Sequence, residues 1–248
     1  MKKKPQIHVG TSGWHYKHWK ETFYPKEISS SNYLDYYQKF LNTVEVNNSF
    51  YKLPPPETFT NWKKTVPAKF LFSVKASRFI THMKKLKDPE KSFQLFLNNV
   101  IFLKEKLGVI LFQLPPNWKY NEERLISLLE VLPGELKYTF EFRDATWYNE
   151  SCYEILRNYN AAFCIYEIEY HMSPILTTAD FVYVRLHGPD TKYNGSYSEK
   201  VLKDWAFKCI EWKNEGKNVF FYFDNDIGGH AIHNAIKFQE LTIELEQL

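Results

Sequence analysis

Eight short β-rich runs alternate with stretches of helical periodicity, and this alternation constrains the fold more than any other feature of the chain. The runs are 7–10, 43–47, 70–75, 109–113, 137–143, 162–165, 181–187 and 218–223. Between them Tyr33, Tyr36, Tyr37, Phe40 and Leu41 recur at helical spacing, as do Phe93, Phe96, Leu97, Val100, Ile101 and Leu107, and then Leu125, Leu128, Leu129 and Leu132. Segments 57–66, 150–159, 198–215 and 229–245 supply further helices. The sixth gap, 166–180, holds Pro174 and little periodicity, so its helix is expected to be short, irregular or missing. Eight β/α units in 248 residues match a single (β/α)8 TIM barrel of the α/β class. No linker or composition break interrupts the chain, so residues 1–248 read as a single domain. An open doubly-wound sheet is the rival. It is disfavoured because Gly10-Thr11-Ser12-Gly13 lacks the G-x-G-x-x-G spacing and does not open directly into a helix.

In such a barrel the strand C-termini form the functional mouth. Side chains two apart on a strand share a face. Glu45 therefore pairs with Asn47, Glu141 with Arg143 and Arg185 with His187; Lys75 and Gln113 end their runs, and Asp224 and Asn225 follow the last one. Polar residues come late in each run and apolar or small ones early. The first run ends in a turn that carries Thr11, Ser12 and Trp14 between Gly10 and Gly13, where glycine lets backbone approach a ligand. The expectation is that these ends converge on one anion-binding pocket. A structural ion-pair network is the plainer alternative. It is disfavoured for the set as a whole, because charges gathered in a partly buried cleft carry a desolvation cost that a bound ligand offsets.

Composition removes several classes. A net charge of +3, with no basic tract beyond Lys2-Lys3-Lys4, argues against tight duplex binding, and that cluster reads as a solvated surface group. No apolar segment completes a secretory signal, and no run approaches the roughly 18 residues that span a membrane. Cys152, Cys164 and Cys209 fit neither a zinc knuckle nor a disulfide framework, which points to reduced thiols and a cytoplasmic location. Aromatic residues make up 18% of the chain and crowd the loops as Trp14, Tyr16, Trp19, Phe23, Tyr24, Phe50, Tyr51, Trp118, Trp147 and Tyr148. They either stack on a ligand or wall the loops as a satellite core, and Trp14 is the foremost candidate for stacking.

The chemistry follows from the residue types. Glu141 and Glu45 are the candidate catalytic acid and base. Lys75, Arg143 and Arg185 suit a phosphate or carboxylate, with Thr11, Ser12, Trp14, Asn47, Gln113, His187, Asp224 and Asn225 completing the ligand-binding set. Glycoside hydrolysis is disfavoured: the large clan of barrel glycosidases places its carboxylates after the fourth and seventh strands, where this chain has Gln113 and Arg185. A divalent metal among His8, His82, His187, Glu45, Glu141 and Asp224 is not favoured, since no short ligand spacing occurs and nearby cations repel it. A Schiff base at Lys75 ranks below an anion clamp. No organic cofactor motif and no G-x-S-x-G elbow is present.

The motifs resemble the YecE-like family, a domain of unknown function. The matching residues are Gly10-Thr11-Ser12-Gly13-Trp14, Tyr16, Trp19, Phe23-Tyr24-Pro25, Glu45-Val46-Asn47, Phe50-Tyr51, Phe72-Ser73-Val74-Lys75 and Thr81-His82. Further on they are Phe112-Gln113-Leu114-Pro115-Pro116, Glu141-Phe142-Arg143, Trp147, Arg185-Leu186-His187-Gly188 and Asn234-Ala235. The resemblance implies a single barrel akin to the metal-dependent xylose isomerase and endonuclease IV barrels, and implies no particular reaction. Phe223-Asp224-Asn225 departs from the family's Phe-Asn-Asn by adding a carboxylate, and the sixth strand matches poorly, so no role is assigned there. The reading is an enzyme of hydrolase or isomerase type, acting on a small anionic sugar, nucleotide or phosphate ester. Two alternatives stand beside it: a nucleic-acid-binding or repair protein, with Lys84, Lys85 and Lys87 as a local basic track, and a non-catalytic ligand-binding protein. No membrane partner is expected, and the oligomeric state is open.

Overall fold

The computed structural model describes residues 4–247, so Lys2 and Lys3 of the N-terminal cluster lie outside the described residues. Nine strands occur among them: β1 (Ile7–Thr11), β2 (Thr43–Val46), β3 (Leu71–Lys75), β4 (Leu107–Gln113), β5 (Lys137–Glu141), β6 (Ala162–Ile168), β7 (His171–Met172), β8 (Phe181–Leu186) and β9 (Asn218–Phe223). The helices are α1 (Tyr33–Tyr37), α2 (Asn48–Tyr51), α3 (Pro56–Thr65), α4 (Pro89–Val100), α5 (Glu122–Val131), α6 (Glu150–Asn158), α7 (Glu199–Asn214) and α8 (His230–Leu245). The strand order is β1-β9-β8-β6-β5-β4-β3-β2, with β7 antiparallel to β6. Parallel strands alternating with helices give a TIM-barrel-like fold.

Helix starts follow local chemistry. Asn121, Asn149 and Ser198 each accept a hydrogen bond from the backbone N–H three residues on, at the starts of α5, α6 and α7. Pro56 and Pro89 occupy the first position of α3 and α4, where no N–H is needed. Two segments depart from expectation. The helical spacing from Phe93 does not continue to Leu107: α4 ends at Val100, a 3-10 turn with Lys104 at φ 52° follows, and Leu107 begins β4. The sixth gap holds the hairpin strand β7, turned by Glu169 and Tyr170 at positive φ, and no helix among its described residues.

The chain divides into two compact units. The first comprises Met1–Glu45, Ile165–Ile175 and Asp180–Leu248; the second comprises Val46–Cys164 and Leu176–Ala179. In the first unit β9 lies between β1 and β8, with Gly10 opposite Tyr222 and Arg185 opposite Tyr222. One face of these strands packs against helices: Phe221 stacks on Phe238 of α8 at 4.3 Å and meets Trp205 of α7 edge-on. The other face carries His8, Tyr183, Arg185, Phe220 and Tyr222, with Tyr183 stacked on Phe220. Strands β1 and β2 meet through a side chain. The Tyr37 hydroxyl accepts from Thr11 N–H at 3.0 Å and donates to Thr43 O at 3.0 Å. Gly10 permits the approach, since a Cβ there would stand 2.3 Å from Thr43 O.

The second unit is built the same way. Gln113 lies opposite Glu141 and Lys75 opposite Leu111, so Lys75, Gln113 and Glu141 share a face. The opposite face is aromatic: Phe112 stacks on Phe140 at 5.2 Å, and Phe93 of α4 meets both Phe112 and Tyr138.

Candidate functional site

Each unit carries a cluster of charged side chains at its strand ends. In the first unit Glu45, Arg185, His187, Asp224 and Ser12 come together. Glu45 is wholly buried. Its Oε1 accepts from Ser12 Oγ at 2.8 Å and from Arg185 Nη2 at 2.7 Å, and its Oε2 accepts from Tyr183 Oη at 2.6 Å. The same Nη2 reaches Asp224 Oδ2 at 3.0 Å, so one buried guanidinium bridges two carboxylates. Arg185 can only donate. His187 Nε2, 3.3 Å from Arg185 Nη1, therefore accepts, and Nδ1 carries the proton 2.8 Å from Asp224 Oδ2. Burial and the Glu45 charge hold the Tyr183 hydroxyl well above the usual phenol range, so it is a donor here.

Asp226 adds a second reachable acid. Its Oδ1 accepts from Trp19 Nε1 at 2.6 Å and its Oδ2 lies 2.8 Å from His18 Nε2. Burial, reinforced by Asp224, raises its carboxyl to about 6 despite those two partners. Tyr16 donates to Ser12 O at 2.5 Å, and burial together with Asp224, Asp226 and Glu45 holds its hydroxyl protonated. Thr11 Oγ1 donates to Gly13 O at 2.6 Å and shapes the turn. Asn225 donates to Gly195 O and to Asn234 Oδ1, both at 2.8 Å, tying the segment after β9 to α8 and to the loop after β8. Trp14 is buried, and its carbonyl accepts from Tyr24 Oη. Its neighbours Trp19 and Tyr24 are fully buried and Tyr24 stacks on Tyr33 at 3.8 Å, so those two rings form a satellite core.

In the second unit Glu141, wholly buried, accepts from both Nε and Nη2 of Arg143 on one oxygen, while the Cys164 thiol lies 3.8 Å from the other. Lys75 Nζ stands 4.4 Å over the Phe50 ring. A π-helical turn, Phe79–Met83, follows β3 and turns His82 edge-on to the same ring at 4.9 Å. Burial and the charges of Lys75, Arg78 and Arg143 lower the His82 imidazole to about 4. Gln113 donates weakly to Leu114 O at 3.5 Å. The buried Asn47 Oδ1 has no hydrogen-bond partner among the described residues. Trp118 and Trp147 pack on each other at 5.3 Å and are buried.

Sequence reasoning missed several members of these clusters. Tyr183 shares a face with Arg185, two residues before it, but inside an apolar run it reads as core. Arg78 was legible only as a neighbour of Lys75 in the chain, and His82 was read only as a disfavoured metal ligand and as part of the family motif. Glu167 of β6, whose carboxyl burial raises against a Tyr197 hydrogen bond, lies on the strand to which no role was assigned. Among the described residues no three His, Cys, Asp or Glu side chains are grouped to hold a metal ion, and Arg185 stands between Glu45 and Asp224. No helix among them is long and apolar enough to cross a membrane.

Comparison with known proteins places this geometry. A family described as "Protein of unknown function DUF72" matches residues 8–247. The protein YunF of Bacillus subtilis is 27% identical over 95% of this chain and 94% of its own length. YecE of Escherichia coli is 30% identical over 55% of this chain and 48% of its own length. The crystal structure of a DUF72 family protein from Thermotoga maritima superimposes with a TM-score of 0.87 at 30% identity, covering 97% of this chain and 99% of that one. A DUF72 family protein from Enterococcus faecalis shares the fold, with a TM-score of 0.81 at 21% identity over 96% of each chain. With nearly its whole length matched, the chain belongs to the DUF72 family of YecE-like proteins.

Proposed function

We propose that the chain is an enzyme of hydrolase or isomerase type that performs acid/base chemistry on an anionic sugar, nucleotide or phosphate ester. Lys75, Arg78 and Arg143 hold the anion, and Glu141, behind Arg143, orients the guanidinium and serves proton transfer. The observation that supports this is that Lys75, Arg78 and Arg143 all act on half-buried His82, whose imidazole is lowered to about 4 by burial first and by these cations second. Like charges gathered at a partly dehydrated place repel one another, and an anion arriving there relieves that repulsion. Arg185, with Glu45 and Asp224 as its partners, acts as a positioning group rather than as part of the clamp.

The test is direct. Inorganic phosphate and a panel of sugar phosphates and nucleoside monophosphates are titrated calorimetrically and assayed for conversion. Lys75→Ala or Arg143→Ala is expected to weaken phosphate binding about tenfold, equivalent to about 1.4 kcal/mol. Glu141→Gln is expected to lower turnover by about 10²–10⁴. A protein that binds none of the panel and converts none of it overturns the reading.

One observation favours a second reading, nucleic-acid binding. Lys84, Lys85 and Lys87 follow directly on the His82 turn, and Lys84 Nζ stands 5.9 Å over the exposed Phe79 ring, a pairing that suits a stacked base beside a phosphate. Affinity for single-stranded oligonucleotides that falls steeply with salt supports it. Affinity for mononucleotides without such a slope favours the enzyme.

A further inference from the structure

We infer that residues 189–194 form a flap in the first unit, hinged at Gly188 and Gly195, and that Tyr193 is its latch, closing the His187–Asp224 pair to water and ligand. The gate lies wholly in the first unit and does not depend on the anion clamp proposed for the second.

The chain is pinned on both sides of this segment. Before it, His187 N–H donates to Glu167 O at 3.0 Å. After it, Tyr197 N–H donates to Asn234 Oδ1 and Asn234 Nδ2 donates to Ser196 Oγ, both at 3.1 Å. The hinges are anchored too: Gly188 N–H donates to Tyr197 Oη at 2.9 Å, and Gly195 O accepts from Asn225 Nδ2 at 2.8 Å. Both hinge positions require glycine. Gly188 has φ 115° and Gly195 φ 86°, and a Cβ would stand 2.2 Å from Asn194 O at the first and 2.3 Å from Asp190 Oδ2 at the second.

Between the hinges Asp190, Thr191 and Lys192 are exposed, and the hold on the rest of the unit is concentrated at half-buried Tyr193. Its N–H donates to His187 O at 2.6 Å, and its carbonyl accepts from Ile227 N–H at 2.9 Å. Its ring meets the fully buried His187 imidazole edge-on at 5.6 Å. Tyr166 meets the same imidazole at 6.3 Å, but Tyr166 is fixed within β6, whereas Tyr193 rides on a loop. Tyr193 also holds φ 65°, a left-handed conformation that a tyrosine rarely adopts, so the closed latch carries backbone strain that opening relieves. A strained segment with few attachments opens locally before the fold does. Closed, the cluster is self-contained: Arg185 bridges Glu45 and Asp224, and His187 donates to Asp224. Opening brings the His187–Asp224 pair within reach of solvent, the task that gate loops perform at polar sites.

Hydrogen exchange tests the gate. In the unaltered protein the Tyr193 and Ile227 amides, which the latch holds, are expected to exchange at least about tenfold faster than the Asp224 amide, which donates to Leu186 O. Exchange of the imidazole Cε1–H for deuterium, read by mass spectrometry, reports solvent access to each histidine. At His187 it is expected to quicken at least about fivefold in Tyr193→Ala, while at His8, buried elsewhere in the same unit, it stays within about twofold. Gly188→Ala, whose methyl strikes Asn194 O, keeps the tyrosine ring but bars closure, and the same quickening is expected there. The amide pattern of the parent and the Tyr193→Ala result decide the matter even where Gly188→Ala fails to fold. His187 exchange unchanged in Tyr193→Ala overturns the gate, as do Tyr193 and Ile227 amides no faster than that of Asp224. Equal quickening at His187 and His8 reports a general loosening of the unit and overturns it as well.

Discussion

At the scale of single residues, Glu45 and Glu141, the two carboxylates proposed from the sequence as acid and base, have different company. Glu45 is enclosed by Ser12, Arg185 and Tyr183, with every oxygen engaged, whereas Glu141 backs an arginine that keeps 11% of its side-chain surface open. Removing the bridging cation of the first cluster leaves buried Glu45 and partly buried Asp224 without it. Arg185→Met is therefore expected to cost about 3–5 kcal/mol in urea unfolding, far more than an exposed ion pair is worth. Glu45→Gln combined with Arg185→Met is expected to recover part of that loss, and a single variant as stable as the parent contradicts the network. Strand parity made this pairing legible, because Glu45, Arg185 and His187 are polar residues at the ends of apolar runs. Tyr183 was not legible in the same way: a tyrosine inside a run counts as core, and nothing local says that its hydroxyl meets a carboxylate 138 residues away. The bond between Asp226 and Trp19 was hidden for a like reason, since it joins residues 207 apart.

At the scale of elements, helix and strand order followed from periodicity, while the places where the reading overran share one cause. Lys104, Glu169 and Tyr170 adopt positive φ without being glycine, so the breaks they make carry no compositional mark. The apolar spacing from Phe93 to Leu107 then looks continuous across a real break, and the β6–β7 hairpin looks like an unmarked loop. The junction of β1 with β2 was equally silent, because a tyrosine on α1 stands in for ladder hydrogen bonds. Tyr37 is fully buried, and truncating its hydroxyl strands Thr11 N–H and Thr43 C=O in the interior. Tyr37→Phe is expected to lower stability by about 1–3 kcal/mol. Gly10→Ala, which drives a methyl onto Thr43 O, is expected to lower it by at least as much. Thermal unfolding that leaves Tyr37→Phe unchanged removes the hydroxyl from the junction.

At the scale of the whole molecule, acid stability is set by groups that the fold holds in one protonation state. His8 lies under the Phe220 ring at 4.9 Å, is 5% exposed, and its Nδ1 has no hydrogen-bond partner among the described residues. Burial lowers its imidazole from 6.5 to about 4. Between those values the unfolded chain takes up a proton that the folded chain refuses. The stability linked to His8 is thus present above pH 6.5 and lost as pH falls toward 4. From pH 7 to pH 5 the loss amounts to about 2 kcal/mol. Asp226 works the other way: its raised carboxyl binds a proton in the fold before it does in the unfolded chain, so it adds stability as pH falls from about 6 toward 3.8 and offsets part of the His8 term. The two are separable by mutation. His8→Phe fills the same stacked position without a titrating nitrogen, so urea unfolding of that variant is expected to fall by about 2 kcal/mol less than the parent between pH 7 and pH 5. At pH 7 it is expected to be at least as stable, because a buried unpaired acceptor has been removed. Parallel pH profiles for parent and variant show instead that acid sensitivity arises elsewhere, with half-buried His82 the next group to replace.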